Sequence, residues 1–258
     1  MSGGRVAVVT GGSSGIGEAT ARELSRRGWQ CVLLARNRER LERVATRMRA
    51  EWEVCDVADR EQVEAVASRV LERNPAVTLL MNNAGIPGRG SFLEVEPDVI
   101  ERVIAINYLG SVWCLRAFLP GLRAAAANGA HVVNLVSVSG TVAFAPAGPY
   151  SAAKHAQLAF SRSTAALLRG SGVKVHTVLP GFVETEGFPQ YSTLRSPILR
   201  RFVVEAEEVA TKIVDAVEKG KGEITIPWFP YRLISIAQAL LPGVFARLVG
   251  VSGYREGA

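Results

Sequence analysis

Short apolar runs alternate with longer amphipathic segments along almost the whole chain. The apolar runs are rich in Val, Ile and Leu, and several are continuously apolar, which is typical of strands covered on both faces of a sheet. Seven such runs predict strands at residues 5–10, 31–35, 53–55, 77–82, 131–138, 173–179 and 223–226. Helical spacing of apolar residues predicts helices at residues 16–28, 38–50, 60–73, 98–110 continuing toward 127, 151–169 and 205–220.

This alternation of strand and helix favours a single α/β domain, built as a doubly wound parallel β-sheet between two helical layers. No interdomain linker divides the 258 residues, and no repeat of solenoid length is visible. A chain of this length can bury a substantial core.

Composition and charge indicate which classes of protein this chain fits. Apolar residues make up 48% of the chain and charged residues 21%, which indicates a globular protein without extensive disorder. The net charge of +6 is dispersed along the sequence, so it fits an anionic small ligand better than a nucleic-acid surface.

Cysteine and histidine spacing gives no sign of a metal site or a disulfide framework. The three cysteines, Cys31, Cys55 and Cys114, are scattered without a CxxC pair, which suits a reducing compartment. The three histidines lack ligand spacing and are expected at the core edge or the surface. No secretory signal is visible at the N-terminus, so we expect a cytoplasmic protein without a bound metal.

A glycine-rich turn, TGGSSGIG at residues 10–17, lies between the first predicted strand and the first helix. Gly11, Gly15 and Gly17 allow a tight turn and a close backbone approach to a pyrophosphate, whose charge suits the helix N-terminus. The spacing is G-x3-G-x-G rather than G-x-G-x-x-G, and a purely structural turn is the alternative. Its position at the first strand–helix junction favours a nucleotide site.

Tyr150 and Lys154 are four residues apart in an alanine-rich run that predicts a helix. Residues at this spacing share a helix face, where an ammonium favours phenolate and lowers the pKa of the phenol. Tyr150 would then be a usable proton donor near neutral pH. The alternative is an exposed pair on a solvated helix face.

Several motifs in order resemble those of the short-chain dehydrogenase/reductase family. They are TGGSSGIG, NNAG at residues 82–85, Asn107, Ser137, YSAAK at residues 150–154, and PGFVET at residues 180–185. The resemblance spans roughly residues 5–226. It implies a Rossmann-type fold that binds a nicotinamide dinucleotide and transfers a hydride between this cofactor and a carbonyl or alcohol. Residues 1–226 would form the NAD(P)-binding catalytic domain, with residues 227–258 as an apolar C-terminal extension of the same domain.

The resemblance implies four catalytic residues, Asn107, Ser137, Tyr150 and Lys154. Hydride arriving at a carbonyl carbon leaves negative charge on oxygen, which must meet hydrogen-bond donors and a proton. Tyr150 would exchange that proton, Ser137 would hydrogen-bond the substrate oxygen, and Lys154 would lower the Tyr150 pKa and hold the nicotinamide ribose. The Asn107 amide would help to anchor a water relay to Lys154. Turn formation by Ser137 and a helix break at Asn107 are the structural alternatives.

The resemblance also implies a set of cofactor contacts. Asp56 follows the third strand, where marking the start of a helix is its alternative role. The expected contacts are Gly11, Ser13, Ser14, Gly15, Ile16, Gly17, Asp56, Val57, Asn83, Ala84, Gly85, Tyr150, Lys154, Pro180, Gly181, Val183 and Thr185.

The end of the second strand predicts NADP(H) as the cofactor. NAD-preferring enzymes of this fold place a carboxylate there for the ribose 2′-hydroxyl, whereas this chain has Ala35 followed by Arg36. A 2′-phosphate suits a guanidinium beside a small residue, and Ser13 would add a hydroxyl contact. Arg38 is either a further phosphate contact or a solvated helix charge.

Residues 186–204 lie where the family has its substrate lid. An apolar carbonyl substrate suits Phe188, Tyr191, Leu194 and Ile198. Arg195, Arg200 and Arg201 either recognise an anionic carrier or are solvated, and the second is favoured.

The final segment, residues 227–250, is apolar and aromatic, with breaks at Pro230 and Pro242. It either packs on a partner subunit, closes the substrate pocket or touches a membrane surface, and the first two are favoured together. We therefore expect a homodimer or homotetramer without nucleic-acid partners. The expected function is that of an NADP(H)-dependent carbonyl reductase or alcohol dehydrogenase. A 3-oxoacyl thioester reductase and a non-catalytic NADP(H)-sensing protein are the alternatives.

Overall fold

The computed structural model describes residues 4–144, 146–191, 194 and 200–243. A seven-stranded sheet forms its centre, with β3, β2, β1, β4, β5, β6 and β9 hydrogen-bonded in that order and every neighbouring pair parallel. These strands are β1 Val6–Thr10, β2 Gln30–Ala35, β3 Glu51–Val54, β4 Leu79–Asn82, β5 Ala130–Leu135, β6 Val173–Pro180 and β9 Glu223–Ile226. Two short strands, β7 Val183–Glu184 and β8 Val204–Glu205, pair separately. The predicted doubly wound α/β fold is confirmed.

Helices cover both faces of the sheet. They are α1 Gly15–Arg26, α2 Arg38–Met48, α3 Arg60–Arg73, α4 Pro97–Ile104, α5 Gly110–Ala125, α6 Gly148–Leu167, α7 Ala206–Glu218 and α8 Tyr231–Leu240.

Side-chain alternation along the strands fills two separate hydrophobic cores. In β1, Ala7 and Val9 join the core that contains residues of α1, α2 and α7. Val6 and Val8 point the opposite way, into the core that contains residues of α3 and α5. Both sheet faces are therefore buried, which explains why the strands are continuously apolar in the sequence.

The helix predicted over residues 98–127 is interrupted by a π-helical turn, Ala105–Leu109, between α4 and α5. Asn107 lies in this turn, so the structure agrees with the alternative reading that it marks a helix break. By length and composition the run Pro97–Asn128 is apolar enough to cross a membrane, a test that buried core helices also pass. In α5, Phe118 and Leu122 are fully buried in the second core.

The C-terminal extension continues the domain beyond the last strand. Helix α8, which the apolar pattern did not predict, buries Tyr231 against Val138 and Val142. Ser235 makes a 2.7 Å hydrogen bond to Thr141 between the two hydroxyl groups. Exposed apolar side chains remain at Trp228, Phe229, Leu233, Ile236, Leu240 and Leu241. The part of the predicted extension beyond Gly243 lies outside the described residues.

Candidate active site

The carboxyl ends of β1, β4, β5 and β6 meet at a cavity of about 270 Å³, referred to below as the main cavity. Ligands in open α/β sheets bind at this edge, outside the strand ends. Predicted site residues on its wall are Gly11, Ser14, Gly15, Ile16, Asn83, Ala84, Gly85, Ser137, Tyr150, Lys154, Pro180, Gly181, Val183 and Thr185.

The glycine-rich turn is held against the loop after β4. Gly11 has a φ of +65°, and a Cβ there would lie 2.7 Å from the Asn83 Nδ2 atom. A Cβ on Gly17 would lie 2.3 Å from the Gly11 carbonyl oxygen, although Gly17 itself does not line the cavity. The Asn83 amide donates to the carbonyls of Thr10 (2.8 Å) and Gly11 (3.2 Å). The absence of side chains at these glycines therefore lets the turn close and leaves its backbone facing the cavity.

Helix α1 begins beside this turn, at Gly15, with its N-terminus toward the main cavity. Ser14 occupies the N-cap position without making a side-chain cap hydrogen bond. The first N–H groups of a helix have no partner within the helix and carry partial positive charge. This end of the cavity is suited to a pyrophosphate.

Ser137 lies two residues beyond β5, at the edge of the sheet. The predicted strand over residues 131–138 ends at Leu135 because the chain turns here into a short 3₁₀ helix, Val138–Gly140. The Ser137 hydroxyl accepts a hydrogen bond from the Ser139 N–H (3.1 Å) and donates to the Pro180 carbonyl (3.5 Å). It thus makes the predicted turn and lines the main cavity as well.

Tyr150 lies in the first turn of α6, which begins three residues earlier than predicted, at Gly148. Burial raises the pKa of Tyr150 to about 12, and a side-chain hydrogen bond with Ser137 acts in the opposite direction. This corrects the expectation of a lowered pKa. The energetic cost of burying the phenolate outweighs the stabilisation that its neighbours provide.

Lys154 is 3% exposed and lies one helical turn after Tyr150 on the same face. Its Nζ atom is 5.7 Å from the centre of the Tyr150 ring. The ammonium donates to the Leu135 carbonyl and to Gln157 Oε1, both at 2.8 Å. Burial lowers the pKa of Lys154 to about 7, so this lysine can exchange its own proton near neutral pH. Lys154 is buried and Tyr150 is half-buried, and both line the main cavity, so the pair does not lie on a solvated helix face.

Asn107 is fully buried and lies behind the wall of the main cavity. Its amide accepts from the Ile86 N–H (2.8 Å) and donates to the Ile86 carbonyl (2.9 Å). The side chain therefore fixes the loop after β4. A water relay to Lys154 stays a prediction.

A second cavity, of about 500 Å³, adjoins the glycine-rich turn and the ends of β2 and β3. Its wall includes Ser13, Ala35, Arg36, Arg40, Asp56 and Val57. Arg38 points elsewhere, because its guanidinium stacks 5.4 Å from the centre of the Trp52 ring. Arg40 takes the place that the sequence suggested for Arg38. Its Nε donates to the Ser13 carbonyl at 2.8 Å.

Asp56 does not start the following helix, which corrects the structural alternative considered for it. Asp59 is the N-cap of α3 and accepts from the Gln62 N–H at 3.0 Å. Asp56 instead accepts from the Ala58 N–H at 3.0 Å and pairs with Arg102, at the wall of the second cavity.

The segment after β6 is fixed from behind by α8. A Cβ on Gly181 would overlap the Tyr231 ring, at 2.1 Å from its nearest carbon. The Tyr231 hydroxyl accepts from the Phe182 N–H (3.3 Å) and donates to the Phe202 carbonyl (3.1 Å). The first part of the extension therefore packs behind one wall of the cavity, and closure of the substrate pocket by this segment stays a prediction.

The outer part of the main cavity is aromatic, with Phe144, Phe182 and Phe188 on its wall. The Phe188 ring lies 5.8 Å from the Tyr150 ring. Two other residues expected there are not on the wall, because Tyr191 faces solvent and Leu194 is buried beneath the surface. Arg200 donates to the Leu194 carbonyl at 2.7 Å, and Arg201 is exposed. Ile198 and Arg195 lie outside the described residues.

Three residues of the site were not found from the sequence. Gln157 contacts Lys154, Arg40 lines the second cavity, and Tyr231 supports the wall after β6. Only Gln157 carried a local signal, as a polar residue three positions after Lys154 on the same helix. The contacts of Arg40 and Tyr231 with residues distant in sequence depend on the tertiary fold.

The sequence also matches known proteins over most of its length. A family model described as short chain dehydrogenase matches residues 5–194. Short-chain dehydrogenase/reductase 3 of Bos taurus is 34% identical over 242 residues, which cover 91% of this chain and 78% of the relative.

Solved structures resemble the fold closely. A single-residue variant of actinorhodin polyketide ketoreductase with NADPH has a TM-score of 0.77 at 27% identity, covering 86% of this chain and 95% of that one. A short chain dehydrogenase/reductase from Burkholderia phymatum in complex with NAD has a TM-score of 0.80 at 28% identity, covering 92% and 95%.

Proposed function

Because the chain belongs to the short-chain dehydrogenase/reductase family of oxidoreductases, we propose that it interconverts a carbonyl group and a secondary alcohol with NADP(H). One observation carries this proposal. Ser137, Tyr150 and Lys154 share the wall of the main cavity with the glycine-rich turn. A group that can exchange a proton therefore lies in the same space as a site suited to a dinucleotide.

The chemistry of reduction requires this arrangement. A nicotinamide held beside the glycine-rich turn would supply a hydride to the carbonyl carbon. Tyr150 donates its phenolic proton to the oxygen on which charge develops, and Ser137 donates a hydrogen bond to the same oxygen. Lys154 stabilises the resulting phenolate with its ammonium group. Oxidation of the alcohol uses the same groups in the opposite direction.

The second cavity supports NADP(H) as the preferred cofactor. Its wall combines a small residue, Ala35, with the guanidinium groups of Arg36 and Arg40, and no carboxylate directly follows β2. Two cations and the absence of the usual ribose-binding carboxylate favour a 2′-phosphate. The ketoreductase with NADPH is consistent with this choice, whereas the Burkholderia phymatum enzyme was solved with NAD.

The aromatic wall supports an apolar carbonyl compound as substrate. Phe144, Phe182 and Phe188 would cover the substrate beside Tyr150. A 3-oxoacyl thioester is the second candidate, because a polyketide ketoreductase shares this fold. Arg200 gives this second candidate little support, since it binds the Leu194 backbone.

Assembly and location complete the proposal. The exposed apolar residues around α8 support a homodimer or homotetramer. The free, buried thiols of Cys31, Cys55 and Cys114 suit the reducing cytoplasm.

A panel of apolar ketones and 3-oxoacyl thioesters, followed by NADPH absorbance, tests the proposal. We expect turnover with at least one apolar ketone, and no turnover by the Tyr150→Phe variant. A protein that binds NADPH but reduces no member of the panel would instead be a cofactor-sensing protein.

A further inference from the structure

Gln157 and Ser111 form a buried polar cluster behind Lys154, and the mechanism above uses neither of them. Gln157 lies three residues after Lys154 on α6 and is fully buried. Its Oε1 accepts from Lys154 Nζ at 2.8 Å, and its Nε2 donates to Ser111 Oγ on α5, also at 2.8 Å. Ser111 is 4% exposed, so the amide bridges two helices away from solvent.

The chemistry of the partners fixes the orientation of this amide. A lysine ammonium can only donate hydrogen bonds, so the oxygen end of Gln157 must face Lys154. The nitrogen end then faces Ser111, whose hydroxyl accepts. A buried amide loses free energy if either end is left unpaired, which holds Gln157 in one position.

Gln157 also determines where the lysine protons point. Two of the three N–H groups of the Lys154 ammonium are directed to Leu135 and Gln157. The third remains for the main cavity, which Lys154 lines.

We propose that Gln157 is a positioning residue that orients the Lys154 ammonium toward the main cavity and stabilises its charged form. The inference rests on the proposed function in one respect, which is that Lys154 belongs to the reacting site.

A neutral hydrogen-bond acceptor beside Lys154 has a strong effect on the lysine pKa, because no charged partner in the part of the chain that the structure describes stands beside the ammonium. The sheet presents a backbone carbonyl from Leu135, and α5 presents only the Ser111 hydroxyl through Gln157. Among the described residues, the titratable group beside the ammonium is the Tyr150 phenol on its own helix, and no carboxylate acts on Lys154. Burial lowers the Lys154 pKa by disfavouring the ammonium, and each hydrogen bond that the ammonium donates opposes this effect.

Titration of the lysine side chains tests this inference directly. The chain has five lysines, Lys154, Lys174, Lys212, Lys219 and Lys221, so protein labelled with ¹³C at lysine Cε gives a spectrum that can be assigned by substitution. In Gln157→Leu, we expect Lys154 to titrate about one pH unit below the parent, because a hydrogen bond to the charged group is lost.

Two further variants separate this effect from a general loosening of the core. Gln157→Glu keeps the shape and places an anion beside the ammonium, so Lys154 should titrate above the parent. Ser111→Ala leaves Gln157 in place but removes its second anchor, and should produce a smaller shift downward. Ser163→Ala, at an exposed serine on the same helix, serves as the unchanged control.

Shifts of opposite sign in the Leu and Glu variants would support the role. Equal Lys154 titration in the parent and both Gln157 variants, at unchanged melting temperature, would overturn it. If Gln157→Leu fails to fold, the other two variants test the role. An upward shift in Gln157→Glu and a downward shift in Ser111→Ala would support it, and no shift in either would overturn it. The measurement needs no turnover, so an inactive parent would refute the proposed function without affecting this result.

Discussion

Arg40 binds both carboxylate oxygens of Glu186, at 3.0 and 2.6 Å. The same guanidinium holds the Ser13 carbonyl in the glycine-rich turn. This contact joins the second cavity to the first residue of the expected substrate lid. A cofactor phosphate in that cavity would therefore meet an arginine that already has a carboxylate partner.

Replacement of Glu186 by Gln should lower the KM for NADPH and leave the KM for NADH nearly unchanged. The change removes the anion that competes with the 2′-phosphate for Arg40, and Glu186 is exposed, so the effect is small. Steady-state kinetics with both cofactors checks it. An equal change in the two KM values would show that Arg40 does not contact the phosphate.

Arg36→Ala should reduce the preference for NADPH over NADH by about tenfold or more, because a hydrogen bond to a charged group contributes about 1.5–3 kcal/mol. Adding Ala35→Asp should move the preference toward NADH, since a carboxylate repels the 2′-phosphate. Arg38→Ala is the matched control, because Arg38 stacks on Trp52 instead. Equal kcat/KM for the two cofactors in the parent would contradict this interpretation of the cavity.

The arginines at the start of α2 also show which parts of the site can be predicted from the sequence and which cannot. The strands, the glycine-rich turn and Tyr150 follow from a local periodicity or motif. In the structure the strands form one sheet, and the turn and Tyr150 lie together at its carboxyl edge. Arg38 and Arg40 are both polar residues at the start of α2, and only the direction of the helix decides which one faces the cavity. The pKa of Tyr150 was wrongly predicted for a similar reason, because burial is a tertiary property.

Tyr150→Phe should lower kcat by about 10²–10⁴-fold, the usual loss when general acid catalysis is removed. The ring keeps its packing beside Phe188, so NADPH affinity measured by fluorescence should change little. Tyr108→Phe, whose ring packs on Phe160, is the control. A kcat equal to that of the parent would exclude Tyr150 as the proton donor.

Tyr231→Phe should lower the free energy of unfolding by about 1 kcal/mol and raise the KM for the carbonyl substrate. The hydroxyl joins the backbone of Phe182, on the cavity wall, to that of Phe202, and both partners would lose this contact. Denaturant unfolding and steady-state kinetics measure the two effects. Tyr191→Phe is the matched control, since its hydroxyl bonds to Glu205 at the surface. If the Tyr231 and Tyr191 variants behave alike, α8 does not support the cavity.

The buried His176 on β6 lies beside the half-buried His131 on the neighbouring strand β5, with 3.0 Å between His131 Nδ1 and His176 Nε2. His176 Nδ1 lies 2.6 Å from the Lys221 carbonyl, which can only accept, so this nitrogen carries a proton. Neutral His176 then accepts at Nε2 from His131. A proton added to His176 would place two N–H groups against each other.

Stability should therefore fall with acid in a defined range. Burial lowers the pKa of His176 from 6.5 to about 4, and burial also lowers the pKa of His131. Between pH 4 and 6.5, His176 binds a proton in the unfolded chain but not in the folded one. The stability that neutral His176 contributes is therefore complete above pH 6.5 and is lost as the pH falls toward 4. For His176 the loss is on the order of 3 kcal/mol.

His176→Asn keeps a donor for Lys221 without titrating, and should flatten the dependence of unfolding free energy on pH in this range. His155→Gln, at an exposed histidine on α6, should leave the dependence as in the parent. The same slope in the His176 variant and the parent would assign the acid sensitivity to other groups.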